Sequence, residues 1–376
     1  ERVLVEVVED HKRWARARVV TVMDASADRV APPCPVYKDC GGCDLQHIAP
    51  TAQRRLKTRV VVEQLERLGG IVGPAVAECR AVGPDVRYRT NVQFHSDERG
   101  RLGFYRRGSH DVVPVADCLV ATEAVGRIRH QLTDAGGADR VAVRAHDATA
   151  TSAVIITPGP GGLTLPDGNF DVVLEQPDGS AAPIRGTGVL AETVGPHRFE
   201  FDATAFFQVS PAAATALTDA VMSAVGDVSG ALVWDLYAGV GLFSLPLAAA
   251  GAEVVAVESH RQAAAAAQHN ADANQLAVSV HPGDVSSFIS ATISGIDAPD
   301  VVVLDPPRSG AGSAVIKQLA KLRPAAIVYV ACDVAALARD ARTLTSHNYR
   351  LSAAQPLDLF PMTHHIEVVA TFVPSL

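Results

Sequence analysis

The stretch A-L-V-W-D-L-Y-A-G-V-G, Ala231 to Gly241, decides the fold. An apolar run ends in Asp235, and a turn containing Gly239 and Gly241 follows at once. A helix pattern, L-F-S-L-P-L-A, comes next. A strand of this kind delivers its carboxyl end to a ligand, and the glycines let backbone approach that ligand closely. Downstream, E-V-V-A-V-E, V-S-V-H, D-V-V-V-L-D, A-I-V-Y-V-A and I-E-V-V-A-T-F-V read as further strands, most of them separated by helix patterns. That alternation predicts a doubly wound α/β sheet over residues 203–376. The helix P-A-A-A-T-A-L-T-D-A-V-M-S-A-V, with proline at its start, opens it.

Upstream the grammar differs. Residues 84 to about 202 carry short alternating runs, such as R-T-N-V-Q-F-H, S-A-V-I-I-T and H-R-F-E-F, broken by Gly, Pro and Asp. Residues 1–33 read as two strands, too few to close a barrel. A Cys/Gly/Pro loop covers 34–49. Residues 50–68 form an amphipathic helix with a basic first half. The expected organisation is a partial β module (1–33), a β-rich central domain (34–202) and a C-terminal Rossmann-like domain (203–376). The 50–68 helix is a candidate to pack on the last.

The chain has 376 residues, 48% hydrophobic and 20% charged, enough to bury a large core. No apolar run approaches the length of a membrane span, so no membrane partner is expected. The first residues, E-R-V-L-V-E-V-V-E-D, do not resemble a signal peptide. A cytoplasmic location and a monomer are the expectations. Net charge is −8, which argues against a general polyanion coat. Arg54 to Arg107 nevertheless carries 12 Lys and Arg against 6 Asp and Glu. One basic segment on an acidic protein suits a selective nucleic-acid contact. Within it Arg87, Arg89, Arg101, Arg106 and Arg107 interleave with Tyr88, Phe94, Phe104 and Tyr105, a pattern suited to RNA phosphates and unstacked bases.

Glu258 ends the second strand of the alternating region, 19 residues after Gly239. An acid there binds ribose hydroxyls. Asp284, after the third strand, is placed to accept an adenine amino group. The full G-x-G-x-x-G is absent, which disfavours a pyrophosphate ligand and favours S-adenosylmethionine, which has no phosphate to cradle.

Asp305 ends the fourth strand in D-P-P-R, where two prolines stiffen the loop and remove two donors. It is a candidate to bond a substrate base or the cofactor. Cys332 ends the fifth strand just before a helix, whose free amides and dipole are expected to favour a thiolate. Glu367 opens the last strand and has a natural role as general base. A thiolate, a methyl donor and a carboxylate around one base suit methylation of uracil carbon 5. The thiolate adds to carbon 6, carbon 5 attacks the methyl, and the base removes the carbon 5 proton.

Of the six cysteines, Cys34, Cys40 and Cys43 crowd together, and Cys118 lies 75 residues beyond Cys43 in V-A-D-C-L-V. Four thiolates suit either an iron–sulfur cluster or a tetrahedral zinc site.

These motifs resemble the RNA uracil-5 methyltransferase family. The resemblance rests on F-F-Q-V-S (Phe206 to Ser210), D-L-Y-A-G-V-G-L-F-S-L-P-L-A, V-E-S-H, D-P-P-R-S-G, Y-V-A-C-D-V-A-A-L-A-R-D and D-L-F-P-M-T-H-H-I-E, in the family's order. It implies that Cys332 is the nucleophile and Glu367 the proton-abstracting base. It also implies that Gln208, Tyr237, Glu258, Asp284 and Asp305 are adenosylmethionine and active-site positions. A [4Fe–4S] cluster on Cys34, Cys40, Cys43 and Cys118 is similarly implied, as is a TRAM module for the N-terminal strands. The family modifies ribosomal or transfer RNA, and the cluster-bearing type tilts the expectation toward ribosomal RNA. Other readings are a cytosine-5 methyltransferase, a catalytically silent RNA-binding protein and a radical adenosylmethionine enzyme. The cysteine spacing and the separate cofactor crevice disfavour the last.

Overall fold

The computed structural model describes residues 1–132, 137–160, 162–176, 178–292 and 298–375. An antiparallel ribbon, β1 (Arg2–His11) and β2 (Trp14–Asp24), comes first, with Leu4, Val7, Trp14 and Val20 exposed. Turns carrying three cysteines lead to α1 (Pro50–Arg67), whose Pro50 sits in the first turn, where no backbone donor is needed. The face that α1 buries includes Gln53, Lys57, Val61 and Leu65, one residue every four. A two-residue strand, β3 (Arg80–Ala81), follows.

The central sheet is built from β4 (Asn91–Ser96), β5 (Leu102–Tyr105), β6 (Val112–Pro114), β7 (Ala138–His146), β8 (Thr151–Pro158), β9 (Asp171–Glu175) and β10 (Ala181–Arg185), in the order β10-β9-β8-β7-β4-β5-β6. Helix α2 (Glu123–Gln131), capped by the Thr122 hydroxyl, covers one face over Val92, Phe94, Val141 and Val143. This helix was not foreseen, because nine residues give too short a period to stand out. The hairpin β11 (Val189–Val194) and β12 (His197–Asp202) buries Leu190, Phe199 and Phe201 in the core of the C-terminal region.

Helix α3 (Pro211–Val225), capped by Ser210, opens that region. There follow β13 (Leu232–Leu236), α4 (Ser244–Ala249), β14 (Glu253–Glu258), α5 (Arg261–Ala273), β15 (Val278–Pro282), α6 (Val285–Thr292), β16 (Val301–Leu304), α7 (Gly312–Leu322), β17 (Ala326–Ala331), α8 (Val334–Thr345), β18 (Tyr349–Asp358) and β19 (Glu367–Pro374). The sheet order is β15-β14-β13-β16-β17-β19-β18-β3. Strands β13 to β17 run parallel, and β19 runs antiparallel to both its neighbours.

Alternate side chains feed two cores. Val233, Val254, Val303 and Val328 face α3 and the β11–β12 hairpin. Trp234, Val302, Ile327 and Tyr329 face α7, α8 and the Val61–Leu65 stripe of α1. Each such side chain contributes about 1.5–3 kcal/mol when fully buried. Helix α1 is therefore glued to the C-terminal sheet. Chain order reverses between β13 and β16, which opens a crevice at their carboxyl ends.

Candidate active site

Strands that start in register also end together. Leu236 pairs with both Val257 and Leu304, and Leu304 pairs with Tyr329. The residues that follow are gathered on one edge: Tyr237, Glu258, Asp305 and, past Ala331, Cys332. The antiparallel return of β19 sets Val368 opposite Ala331 and so brings Glu367 to the same edge.

The crevice has the features of a nucleoside site. Gly239 has φ +57, and a Cβ there would meet nothing within 4 Å, so the turn faces open space. Tyr237 holds φ +63 with a half-buried ring. The Glu258 carboxylate accepts from the Gly239 amide at 3.0 Å and from the His260 amide at 2.6 Å, which fixes its orientation. Asp284 is exposed and caps α6, accepting from the Ser287 amide at 2.9 Å. Gln208 is buried just before the Ser210 cap of α3. Asp235 is fully buried below the turn. One of its oxygens accepts from the Ser244 hydroxyl, and the other has no hydrogen-bond partner. Burial, then the Glu258 charge, push its carboxyl up to about 7.

At the reaction end, burial and the Asp235 charge raise Asp305. Burial and the Asp305 charge raise Glu367 well above the usual carboxylate range, against the pull of Arg308. The Cys332 thiol is pushed up to about 11 by burial, Glu367 and Asp305. Burial and the two carboxyl charges thus oppose the pull toward thiolate expected from the helix terminus. Asp333 occupies the cap of α8, accepting from the Ala336 amide at 2.7 Å, and two carboxyl groups stand beside the sulfur.

Cys34, Cys40, Cys43 and Cys118 line one cavity of about 170 Å³ with Tyr37, Gln46 and Arg89. All six cysteines are free thiols. Burial raises Cys40, Cys43 and Cys118, and their mutual proximity raises them further. The donor set suits a thiolate-ligated group. Among the described residues, however, no three His, Cys, Asp or Glu side chains are arranged to hold a metal ion.

The basic segment differs from expectation. Arg87 pairs with Asp117, Arg101 with Asp97, Arg106 with Asp39 and Arg107 with Asp44. Tyr88 and Phe94 belong to the core, while Tyr105 is exposed. An exposed aromatic, Phe206, stands two residues before Gln208 and is 78% exposed. It was quoted only as part of a motif, and its exposure could not be read from apolar periodicity. Among the described residues no helix is long and apolar enough to cross a membrane.

Residues 213–322 match the family described as methyltransferase small domain, and residues 293–372 match that described as tRNA (Uracil-5-)-methyltransferase. The fold superposes on the tRNA (uracil-54, C5)-methyltransferase of Pyrococcus abyssi, solved with S-adenosyl-L-homocysteine, with a TM-score of 0.78, 23% identity and coverage of 99% of this chain and 93% of that one. The crevice at the strand ends, on this fold, defines a class I S-adenosylmethionine-dependent methyltransferase. A protein of Streptomyces avermitilis named as an uncharacterized RNA methyltransferase is 38% identical, covering 100% of this chain and 91% of that one. The 23S rRNA (uracil(1939)-C(5))-methyltransferase RlmD of Shewanella is 30% identical, covering 99% and 88%. The chain belongs to the RNA uracil-5 methyltransferase family.

Proposed function

We propose that this protein methylates carbon 5 of one specific uridine in RNA through a covalent bond between Cys332 and carbon 6. The observation that carries the reading is the meeting of Cys332, Glu367 and Asp305 at adjoining strand ends, next to the Gly239 crevice. S-adenosylmethionine supplies the methyl group. Glu258 is assigned to its ribose, Asp284 to its adenine, and Tyr237, Gly239, Gly241 and Gln208 to the walls around it.

Burial raises both the Cys332 thiol and the Glu367 carboxyl, which favours their neutral forms. A cation brought to this cluster of carboxyl groups favours their charged forms, so the site is armed when the donor binds. The Cys332 thiol gives up its proton to solvent, its sulfur bonds carbon 6, and the electron pair of the 5,6 double bond passes to the base as an enolate. Carbon 5 then takes the methyl. Glu367, as carboxylate, accepts the carbon 5 proton, the double bond re-forms and Cys332 leaves. Asp305 is assigned to orient the base edge. The uridine must leave its stack to expose carbon 6.

Ribosomal RNA is the favoured substrate, supported by the named activity of the Shewanella relative at 30% identity. Transfer RNA is the second reading, supported by the named activity of the Pyrococcus fold neighbour. The four cavity cysteines are assigned to a [4Fe–4S] cluster, with a structural role. The assignment is supported by the four thiols lining one cavity. Iron and acid-labile sulfide in anaerobically purified protein support this assignment, and zinc without sulfide overturns it. The β1–β2 ribbon is assigned to a TRAM-like module.

The test is methyl transfer from labelled S-adenosylmethionine to separated ribosomal and transfer RNA lacking 5-methyluridine, with nucleoside analysis. Label in 5-methyluridine is expected. Label in 5-methylcytidine, or in neither RNA, overturns the proposal.

A further inference from the structure

The loop that leads into Glu367 is held from outside its own sheet. Residues 359–366 connect β18 to β19, and Met362 at its centre has φ +67, a left-handed conformation that L side chains rarely adopt. Such a residue persists when its surroundings over-determine it. Here they do. The Met362 amide donates to Gln53 Oε1 at 2.9 Å. The Met362 carbonyl accepts from the amides of Asp44 and Leu45, at 2.9 and 3.0 Å. Its side chain packs with Cys43, Tyr88 and Val120, and its sulfur lies 3.4 Å from Gln53 Nε2. Gln53 Nε2 also donates to the carbonyls of Leu45 and Ile48, at 3.0 and 2.8 Å.

Gln53 is fully buried, on the face of α1 that elsewhere carries Val61 and Leu65. Burying an amide costs free energy unless it is hydrogen-bonded, so its place on the buried face, next to the equally buried Lys57, calls for a reason. The reason is geometric: one side chain joins the cysteine loop to the loop before Glu367. Flanking contacts act the same way. Tyr88 donates to the Pro361 carbonyl at 3.1 Å, and Lys57 donates to the Phe360 carbonyl at 3.1 Å.

We propose that Gln53 is a positioning residue for the reaction, fixing Met362 in its left-handed conformation and thereby the approach of the Glu367 carboxylate to carbon 5 of the base. The inference rests on the reading of Glu367 as the base. Met362 is five residues from Glu367, and the pairing of Leu357 with Glu367 ties both ends of the connection to the sheet.

The test uses Gln53→Met, which keeps volume and removes both hydrogen-bonding functions. Release of methylated RNA is expected to slow by on the order of 10²-fold, as for a misplaced catalytic group. The methylated covalent adduct should accumulate, while the Kd for S-adenosylmethionine stays within about twofold, because the crevice is untouched. Gln53→Met/Met362→Gly should recover about tenfold, since glycine adopts φ +67 freely. Gln53→Glu, which keeps an acceptor for the Met362 amide, should fall between wild type and Gln53→Met. Amide hydrogen exchange over residues 360–366, read without any RNA, should speed up in Gln53→Met and not in Glu367→Gln. Wild-type turnover in Gln53→Met, a defect confined to donor binding, or a defect that Met362→Gly does not relieve overturns the proposal. Unchanged exchange overturns it too, even if turnover falls. If exchange speeds up as expected but Glu367→Gln traps no adduct, the assignment of the base has failed, and with it the catalytic half of this inference alone.

Discussion

Val368 lies directly across the sheet from Ala331, and this one register sets Glu367 beside Cys332. A slip of one residue would turn Glu367 to the opposite face. The pairing also explains the electrostatics, because the Glu367 and Asp305 charges add to burial in raising the thiol. A buried thiol next to two carboxyl groups is a poor nucleophile until something cationic arrives.

Cys332→Ala should abolish both product and covalent RNA adduct. Glu367→Gln should leave methyl transfer to carbon 5 intact and slow product release by about 10²–10⁴-fold, the usual loss for a missing general base. Denaturing gels with labelled RNA should show a trapped band in Glu367→Gln only. A trapped band in Cys332→Ala would remove it as the nucleophile.

Donor binding should release protons. Asp235 titrates near 7, and Asp305 and Glu367 are raised, so a sulfonium near them drives deprotonation. Calorimetry at pH 7 in buffers of different ionisation enthalpy should give proton release with S-adenosylmethionine and less with S-adenosylhomocysteine, which lacks the sulfonium charge. Equal release from both would show that the cation does not reach these carboxyl groups.

Asp235 should cost the free protein stability as pH rises from about 4 to 7, while His365, lowered to about 4 by burial, contributes in the opposite sense. Asp235 has its folded pKa raised to about 7 from an ordinary 3.8, so the folded state holds the proton in that window and the unfolded state does not. The sign makes the effect unfavourable to folding at higher pH, on the order of 4 kcal/mol across the window from this group. Asp235→Asn should flatten the profile of Tm against pH and raise Tm at pH 8. A profile as steep as wild type would place the titration elsewhere.

Lys57 and Asp358 form a buried ion pair at 2.6 Å, both side chains nearly inaccessible. Removing one partner should be costly, since an unpaired charge then stays buried. Lys57→Met should destabilise by about 3–5 kcal/mol, and Lys57→Met/Asp358→Leu should recover most of the loss. Urea unfolding of the three proteins reads this directly. A double variant no more stable than Lys57→Met would mean that the pair is not coupled.

The strand ends were legible in the sequence because parallel strands buried on both faces are apolar runs, and the polar residue closing each run marks the crevice. Asp235, Glu258, Asp305 and Cys332 were found this way. Strand β18 escaped notice. Its run Y-R-L-S-A-A-Q-P-L-D mixes small, polar and proline residues, as an antiparallel strand near the sheet edge tolerates. The pairing of β3 with β18 was also hidden, because two residues carry no period. The ion pairs of Arg106 and Arg107 were not legible, because their carboxylate partners, Asp39 and Asp44, are distant in sequence. Gln53 and Met362 stand 309 residues apart, and no pattern in a single chain announces such a contact.

That separation gives the active site a timing. A ribosome adding about 5–20 residues per second makes Asp44, Leu45 and Gln53 many seconds before Met362 emerges. The early segment meets its partner only after the roughly 300 residues between them have been made. A chain cut short before Met362 would carry the donor crevice and Cys332 but not the group that lets product go. Such a fragment could seize an RNA and never free it. Because Glu367 follows Cys332 in the chain, the proposed base is made after the thiol whose release it would serve.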